Sequence, residues 1–459
     1  MKFDIKTDSR KIKKGDTFVA LKGISSNGDE YIEKAIANGA TRIVCEHGKY
    51  SVETINVEDT REYLKTYLQQ NYQKVIDEMT IIGFTGTNGK STSVHLLYEA
   101  LNKLNMPCAS IGTVGFFTKE GKKCYLPNTS PDLCDLYEMI VESYNEGHKF
   151  IALEASSQAL EYGRLDGLLF DYAIFSNLTR DHLDFHKTFE NYALAKQKLF
   201  KKMKTNGKAI VNIDDEYKNY FLLENNTNIT FGFTPSDYQI TNFSMNIEGS
   251  NFNFKYKEKE YSVHTKLLGE YNALNILPVI AILQDLGIEM KTILPLIAEL
   301  DAPNGRIERI QYGTNNIYID YAHTPDGLEK VVSTVKRVTK GNTYVVFCCR
   351  GNRDIGRRHG MMQAATDLAK IAIVTNDHIF EEDPMHVIQD MLEGLTNTNY
   401  EIIPDRRKAI YRGIDLLKEN DSLLLLGHGH EEVLINEKHE KIPFIEKDIV
   451  EEYIKEKCA

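Results

Sequence analysis

The chain has 459 residues, of which 42% are apolar and 26% are charged, and its formal net charge is -11 at pH 7. This composition is typical of a folded globular protein, and the length predicts about three domains. The acidic balance argues against a nucleic acid as the main partner, because neutralising a phosphate backbone requires a clustered basic surface.

The sequence shows no pattern that directs a chain into a membrane. Its start, Met1 to Lys6, lacks the apolar core of a signal peptide, and no window holds the roughly 20 apolar residues of a membrane helix. The seven cysteines form neither a CxxC pair nor a zinc spacing. We therefore expect a cytoplasmic protein with free thiols and no membrane partner.

Short strands and a helix near the N-terminus predict a small α/β module. Residues 17–21 and 42–45 have the character of strands, and residues 31–38 that of a helix. Residues 229–265 alternate apolar and polar side chains, which favours antiparallel hairpins before a helix near Tyr271.

The middle and the end of the chain alternate strands with helices. A strand at 80–85, a glycine-rich turn and a helix at 91–104 are followed by strands at 150–153 and 172–175, which predicts a mostly parallel sheet covered on both faces. After residue 302, further strands are predicted at 317–321, 343–349, 371–375 and 422–426. We predict a small N-terminal α/β domain (1–77), a central P-loop-like ATPase domain (78–302) and a C-terminal doubly wound α/β domain (303–459), with the site at strand carboxyl ends.

The strongest local motif lies between the strand at 80–85 and the following helix. It consists of Gly86, Thr87, Asn88, Gly89, Lys90, Ser91 and Thr92. Backbone N–H groups, a lysine and hydroxyls at a helix N-terminus bind nucleotide phosphates and Mg²⁺. The motif departs from the general P-loop pattern, since Phe84 stands where a glycine is expected. The alternative is a tight turn that uses two glycines.

Two polar residues that follow later strands are weaker candidates. Glu154 ends one strand and His182 follows the next, where they could hold Mg²⁺ beside the phosphates. Taken alone, each is more often part of a structural network. Lys196 on a helix is by default a solvated charge, and Asn272 and Asn275, one turn apart, are by default capping residues.

Together and in this order, these segments resemble the Mur ligases of peptidoglycan precursor synthesis, and among them the MurE type that adds the third residue of the stem peptide. The resemblance covers nearly the whole chain and implies the substrates ATP, a UDP-linked muramoyl dipeptide and an amino acid, in a cytoplasmic enzyme that we expect to be monomeric. It also implies roles in cell-wall biogenesis, cell shape and cell division.

The resemblance assigns site residues. Those implied to act in catalysis or metal binding are Lys90, Ser91, Glu154, His182 and Lys196, which is carbamylated in this family and would help to hold Mg²⁺. Asn275, Arg306, Asp320 and His323 join Gly86 to Thr92 in the implied ATP site. Ser9, Asn128, Thr129, Ser130, Ser156 and Arg164 are implied to bind the UDP-linked acceptor. Arg353, Asp377, His378, Phe380, Gly427 and Glu431 are implied to bind the amino acid.

The implied mechanism has two steps. The acceptor's D-glutamyl carboxylate attacks the γ-phosphate of ATP, with Mg²⁺ and Lys90 neutralising charge, and gives an acyl phosphate and ADP. The amine then attacks the acyl carbon, phosphate leaves and an amide remains.

The amino-acid pocket departs from the family pattern. Enzymes specific for meso-diaminopimelate carry Asp-Asn-Pro-Arg where this chain has Asp377, His378, Ile379 and Phe380. A phenyl ring cannot replace the bidentate donor that a carboxylate requires. We therefore predict that meso-diaminopimelate is not the preferred substrate, while an ammonium group near Glu431 stays compatible with the sequence.

Other departures bear on the acceptor and leave alternatives open. Gln158 and Tyr162 stand where the family usually has histidine and glutamine, and His428 where lysine is common. One alternative is a MurE-like paralogue that ligates an amino acid to a different carboxylate outside the main cell-wall pathway. A non-catalytic nucleotide-binding regulator and a folylpolyglutamate synthase are two others; the retained Lys90, Glu154, His182 and Lys196 argue against the first, and the UDP-type N-terminal module argues against the second.

Overall fold

The computed structural model describes residues 2–22, 27–224, 228–351, 354–378, 382–436 and 438–458. Its helices, in chain order, are α1 (Ile32–Ala37), α2 (Thr60–Glu78), α3 (Lys90–Lys103), α4 (Leu133–Asn145), α5 (Ser157–Glu161), α6 (Leu183–His186), α7 (Phe189–Gln197), α8 (Glu270–Asp285), α9 (Met290–Glu299), α10 (Pro325–Val338), α11 (Arg358–Leu368), α12 (Pro384–Leu392), α13 (Arg406–Leu416) and α14 (Glu446–Cys458). In the part of the chain that the structure describes, none of these helices combines the length and apolar character needed to span a bilayer.

The strands alternate with these helices along most of the chain. In order they are β1 (Ile5–Lys6), β2 (Thr17–Val19), β3 (Arg42–Cys45), β4 (Glu53–Asn56), β5 (Thr80–Thr85), β6 (Cys108–Gly112), β7 (Gly115–Thr118), β8 (Gly121–Cys124), β9 (Phe150–Glu154), β10 (Phe170–Phe175), β11 (Met203–Asn212), β12 (Asn228–Gly232), β13 (Tyr238–Asn246), β14 (Gly249–Tyr256), β15 (Lys259–Thr265), β16 (Glu308–Tyr312), β17 (Asn315–Asp320), β18 (Thr343–Phe347), β19 (Ile371–Val374), β20 (Tyr400–Ile402), β21 (Ser422–Leu426), β22 (Val433–Ile435) and β23 (Lys441–Pro443). The α/β class predicted from the sequence is confirmed.

The chain forms two compact units. The first comprises Met1–Thr85, Leu101–Ala173 and Lys198–Lys208, and the second comprises Gly86–Ala100, Ile174–Gln197 and Ala209–Ala459. The predicted domain boundaries after residues 77 and 302 stay a prediction.

The first unit begins with a parallel sheet in the order β1-β2-β3-β4. Its helix α2 is absent from the sequence prediction, although Leu64, Leu68, Tyr72 and Val75 recur at helical spacing and are buried. Asp59 caps this helix through the N–H groups of its first turn. The same unit also holds β5, β9 and β6, which pair in parallel, and β7 and β8, which add antiparallel edge strands.

The second unit contains the predicted hairpins and the C-terminal sheet. Strands β13, β14 and β15 are antiparallel, as predicted, whereas β12 pairs in parallel with β11 and β13. The C-terminal sheet has the order β16-β17-β21-β18-β19-β20, and its strands are parallel except for β16.

Apolar side chains cover both faces of this C-terminal sheet. One face packs against α10, α11 and α12, and the other against α13 and α14. The strands β18 and β21 are buried along their whole length, as expected for strands covered on both sides. The carboxyl ends of β17, β21, β18 and β19 therefore lie side by side, which is where a doubly wound sheet forms its site.

Candidate functional site

The predicted phosphate loop is a closed turn between β5 and α3. Gly86 and Gly89 have positive φ angles of 143° and 91°, a region that favours glycine. The ammonium of Lys90 donates to the carbonyl oxygens of Gly86 and Thr87, both at 2.9 Å. The loop thus places its lysine at the N-terminus of α3, where anions bind.

Neighbouring side chains fix this loop. The Thr87 N–H donates to the Asn177 carbonyl at 2.8 Å, and the Asn88 N–H donates to the Asn177 side chain at 3.0 Å. A Cβ on Gly89 would lie 2.2 Å from Oδ1 of Asn275. Asn275 therefore contacts the loop, and its neighbour Asn272 donates to the Leu268 carbonyl at 2.8 Å, whereas the N-cap of α8 is Gly269.

Lys196 is buried, so the default interpretation as a solvated charge is wrong. Its side chain is 1% exposed, and Nζ donates to the Gly86 carbonyl at 2.8 Å. The ammonium lies 4.5 Å from the Tyr192 ring centroid. Burial, with the nearby charge of Lys90, holds the pKa of Lys196 well below its usual range.

His182 belongs to a cluster around a buried aspartate. It adopts a left-handed conformation, with φ 54°, immediately before α6. Its Nε2 lies 3.3 Å from Asp181 Oδ2, and the Arg357 guanidinium and His323 Nε2 lie 3.5 and 4.0 Å from the same carboxylate. Burial raises the pKa of Asp181, but the charges of His182, His323 and Arg357 lower it overall. Burial lowers the pKa of His323 to about 3.

Arg306 and Asp320 occupy the start of the C-terminal region. The Asp320 carboxylate accepts from the N–H groups of Ala322 and Ile307 at 2.7 and 2.8 Å, and burial raises its pKa although Arg306 opposes this. The guanidinium of Arg306 donates to the Ser91 hydroxyl at 3.3 Å. Its Nε is buried and has no hydrogen-bond partner among the described residues, which indicates a donor that awaits a ligand.

A cavity of about 450 Å³ lies in the second unit next to the phosphate loop. Its volume falls in the range of small-molecule sites. Predicted residues on its wall are Asn88, Gly89, Thr92, Asn275, Arg306 and Asp320. The wall also contains residues that the sequence interpretation missed, among them Asn177, Asn212, Asp214, Phe231, Tyr271 and Arg337. Asn177 and Asp214 follow β10 and β11, a position that the sequence displays, whereas Phe231 lies in β12, Tyr271 in α8 and Arg337 in α10.

The predicted acceptor residues lie in the first unit. Ser130 donates to the Glu154 carbonyl at 2.7 Å and accepts from the Ser156 N–H at 3.2 Å, while Arg164 donates to the Ser130 carbonyl at 3.2 Å. The Glu154 carboxylate accepts from the N–H and the hydroxyl of Thr113 at 2.7 and 3.1 Å.

The other predicted acceptor residues are less tightly linked. Thr129 accepts from the Thr113 hydroxyl at 3.1 Å, Asn128 is exposed, and Ser9 is buried with its carbonyl bound by Asn38 at 2.8 Å. The structure therefore links Thr129, Ser130, Ser156, Arg164 and Glu154 in one network of the first unit.

Charged side chains converge at the carboxyl ends of the C-terminal strands. Arg350 follows β18, Asp377 and His378 follow β19, and His428 and Glu431 follow β21. Arg350 donates to Asp377 at 2.9 Å and pairs with Glu431 at 2.8 Å. Gly427 has a φ of 100°, and its carbonyl accepts from Arg350 at 3.2 Å. Arg353 and Phe380, which the resemblance assigns to the same pocket, lie outside the described residues.

Arg350 is the residue of this pocket that the sequence interpretation overlooked. Its signal was an arginine directly after a strand buried along its whole length. A charged residue at that point either faces solvent or finds a partner, and a sequence does not distinguish the two.

Three family models match consecutive parts of the chain. The Mur ligase family catalytic domain matches residues 4–79, the Mur ligase middle domain residues 84–283, and the Mur ligase glutamate ligase domain residues 305–429.

Curated relatives match over almost the full length. The UDP-N-acetylmuramoyl-L-alanyl-D-glutamate--2,6-diaminopimelate ligase of Clostridium botulinum is 36% identical and is matched over 98% of this chain and 95% of its own length. The enzyme of the same name from Aquifex aeolicus is also 36% identical, over 98% of this chain and 93% of its own.

Solved structures agree with these matches. A structure of a ligase of that name aligns with a TM-score of 0.67 at 31% identity, covering 100% of this chain and 95% of its own. MurF of Thermotoga maritima in complex with ADP aligns with a TM-score of 0.72 at 18% identity, over 99% of this chain and 98% of its own. Folylpolyglutamate synthase of Mycobacterium tuberculosis, at 13% identity and a TM-score of 0.64, shares the fold over 79% of the chain.

A phosphate loop, a cavity beside it and full-length similarity define an ATP-dependent, ADP-forming ligase, and the chain belongs to the Mur ligase family. Within that family it is of the MurE type. The predicted family and enzyme class are confirmed, and the alternative of a regulator without ligase activity is set aside.

Proposed function

We propose that this ligase adds the third residue of the stem peptide to UDP-N-acetylmuramoyl-L-alanyl-D-glutamate in peptidoglycan precursor synthesis. The observation that carries the proposal is the cavity of the second unit, whose wall includes Asn88 and Gly89 of the phosphate loop and Arg306, which keeps a buried, unpartnered donor. Lys90, at the start of α3, is the lysine of the same loop. Two cations beside a glycine-rich loop suit the phosphates of a nucleotide. The matched relatives are named for this acceptor.

Lys90, the loop N–H groups and Arg306 have the roles of binding ATP phosphates and neutralising charge on the transferred γ-phosphoryl group. Lys90 now donates to two loop carbonyls, and it can redirect one N–H to a phosphate oxygen without leaving the loop. The acceptor carboxylate attacks phosphorus, and ADP leaves with the bridging oxygen. Lys90 and Arg306 then stay beside the departing charge.

Lys196 has the environment that carbamylation requires. An uncharged amine adds to CO₂ and releases one proton, and Lys196 is buried with its pKa held well below the usual range. The product is an anion next to the Lys90 ammonium. Together with His182 and the Ser91 hydroxyl, it supplies oxygen and nitrogen donors of the kind that Mg²⁺ accepts. Bound Mg²⁺ would neutralise phosphate charge in this site.

The acceptor end is assigned to the first unit. Ser130, Ser156 and Arg164 form a hydrogen-bonded group there, and Ser9, Asn128 and Thr129 complete the proposed set. Hydroxyl, amide and guanidinium donors fit the sugar, peptide and carboxylate groups of a muramoyl dipeptide.

The amine is proposed to differ from meso-diaminopimelate. The names of the relatives favour 2,6-diaminopimelate, whereas this chain has Phe380 where enzymes with that specificity carry arginine. A distal carboxylate would lose its bidentate partner there. Those names describe the substrate of the relatives, and the proposal for this chain is based on the residues of its own pocket.

Phosphate release tests the function directly. The purified chain is incubated with ATP, Mg²⁺, the UDP-linked dipeptide and single amino acids, and the product is weighed by mass spectrometry. We expect phosphate and a product heavier by one amino-acid residue, both requiring the acceptor and one amine. Lys90→Met abolishes turnover, whereas Lys103→Met, a change at the exposed end of the same helix, leaves it intact. Bound ATP without turnover on any amine would contradict the proposal and favour a different acceptor.

A further inference from the structure

Arg350 is a buried cation at the centre of the proposed amino-acid pocket. Its side chain is 11% exposed. Nε donates to Asp377 at 2.9 Å, and Nη2 donates to Glu431 at 2.8 Å and to the Gly427 carbonyl at 3.2 Å. Nη1 donates to the Tyr321 hydroxyl at 3.2 Å, and the guanidinium lies 5.2 Å from that ring. Four acceptors from three segments of chain hold this cation in place.

Both carboxylates of the pocket also have a second partner. Asp377 faces Nδ1 of His428 at 2.9 Å, and Glu431 pairs with Nε2 of His378. The other His428 nitrogen faces the Phe444 carbonyl at 3.2 Å, so both ring nitrogens can donate. Burial raises the pKa of Glu431, but the hydrogen bond from His378 and the charge of Arg350 lower it to about 2. Glu431 is therefore an anion that the protein itself already pairs.

The remaining buried charges nearby form a closed pair. Arg406 and Glu446 are 1% and 0% exposed and lie 2.7 Å apart. Arg406 also donates to the Leu426 carbonyl at 3.0 Å. Arg406 and Glu446 thus pair with each other, while Asp377 and Glu431 face Arg350, His428 and His378.

We propose that Arg350 is a built-in cation that takes the place of a substrate ammonium at Glu431, so that the amino acid used by this ligase has an uncharged side chain. The inference rests on the proposed function for the identity of the pocket. A second ammonium, as in lysine or ornithine, would have to displace Arg350 or stay unpaired in a buried place, and both are unfavourable. A distal carboxylate would meet a cation, Arg350, that Asp377 and Glu431 already pair. The proposal places the guanidinium of Arg350 where the sequence leaves room for a substrate ammonium near Glu431.

The wild-type chain provides the first test. Phosphate release with the UDP-linked dipeptide is measured for glycine, L-alanine and L-serine, and for L-lysine, L-ornithine and meso-diaminopimelate. We expect kcat/KM to favour the best uncharged amino acid by at least about tenfold, the order of selectivity that an unpaired buried polar group imposes.

Variants of Arg350 provide the second test. Arg350→Ala removes the arginine partner of Glu431, so kcat/KM for L-lysine should rise at least about tenfold relative to that for the best uncharged amino acid. Arg350→Lys keeps a cation and should keep the wild-type preference. Arg412→Ala is the matched control, because it removes an exposed arginine that pairs with Glu401 on the surface. The wild-type panel decides the inference even where Arg350→Ala fails to fold.

The outcomes separate the two proposals. A wild-type preference for L-lysine, L-ornithine or meso-diaminopimelate overturns the inference and leaves the proposed function standing. Failure of a folded Arg350→Ala variant to gain activity with lysine overturns the role of Arg350. Absence of turnover with every amine, while ATP still binds, overturns the proposed function and the inference with it.

Discussion

Lys196→Met probes the buried lysine beside the phosphate loop. Lys90 and Lys196 donate to the same Gly86 oxygen at 2.9 and 2.8 Å, so their nitrogens are at most about 5.7 Å apart. At an effective dielectric of about 20, unit charges at that separation interact by about 3 kcal/mol. A carbamate on Lys196 would therefore hold the Lys90 ammonium with about that energy. Methionine has a similar length but cannot form a carbamate.

We expect Lys196→Met to lower kcat about 100-fold, since about 3 kcal/mol lost from the transition state corresponds to a factor of that order. The Kd for ATP should change less than about threefold, because removing an anion does not weaken phosphate binding. Replacing a desolvated amine by an apolar chain should also leave the thermal midpoint unchanged or raise it. These quantities are measured by phosphate release, isothermal titration calorimetry and differential scanning fluorimetry.

The control for this experiment is Lys198→Met, which removes a partly exposed lysine paired with Glu161. It should keep wild-type kcat. A folded Lys196→Met variant with wild-type kcat would refute the reasoning, as would a wild-type ¹³C NMR spectrum in labelled bicarbonate that lacks a carbamate signal dependent on Lys196.

Three further substitutions test the phosphate loop, the buried histidine His428 and the buried Arg406–Glu446 pair. Gly89→Ala places a Cβ 2.2 Å from a side-chain oxygen of α8 at a φ of 91°. It should raise the Kd for ATP, measured by calorimetry, at least about tenfold. The control Gly313→Ala, at a positive φ in open space, should leave the Kd unchanged. His428→Gln should lower the free energy of unfolding most below pH 6.5. The pKa of His428 is raised from 6.5 in the folded protein, so the stability that this histidine contributes is lost as the pH rises through the folded-state value. Equal effects of the substitution in urea titrations at pH 6 and pH 9 would contradict this. Arg406→Met leaves a buried glutamate of α14 unpaired and should cost about 3–5 kcal/mol in urea unfolding, against less than about 1 kcal/mol for the exposed Arg412→Met.

The parts of the fold that were predicted from the sequence are those that depend on local patterns. The strand, glycine loop and helix around Gly86–Thr92 follow one another in sequence, and they appear as β5 and α3. The buried strands β18 and β21 are continuous apolar runs, which a sequence displays directly. Helix α2 was missed because polar residues such as Gln69 and Asn71 separate its apolar positions Leu64, Leu68 and Tyr72.

Tertiary placement decided what the sequence could not show. Lys196 has no local sign of burial, and only the fold brings its amine to Gly86. Arg350, Asp377 and Glu431 come from three segments that meet at adjacent strand ends. The cavity wall likewise contains Asn177, which follows β10, and Phe231, which lies in β12. The roles of the site residues, the domain boundaries and the oligomeric state stay predictions.

The proposed ligation depends on activation of the acceptor carboxylate as an acyl phosphate. It is tested most directly with acceptor whose D-glutamyl carboxylate carries ¹⁸O in both oxygens, by mass spectrometry of the phosphate released during ligation. Attack of that carboxylate on the γ-phosphate, followed by loss of phosphate to the amine, transfers one ¹⁸O atom to each phosphate. We expect singly labelled phosphate in proportion to the amide formed. Unlabelled phosphate accompanying amide formation would contradict it.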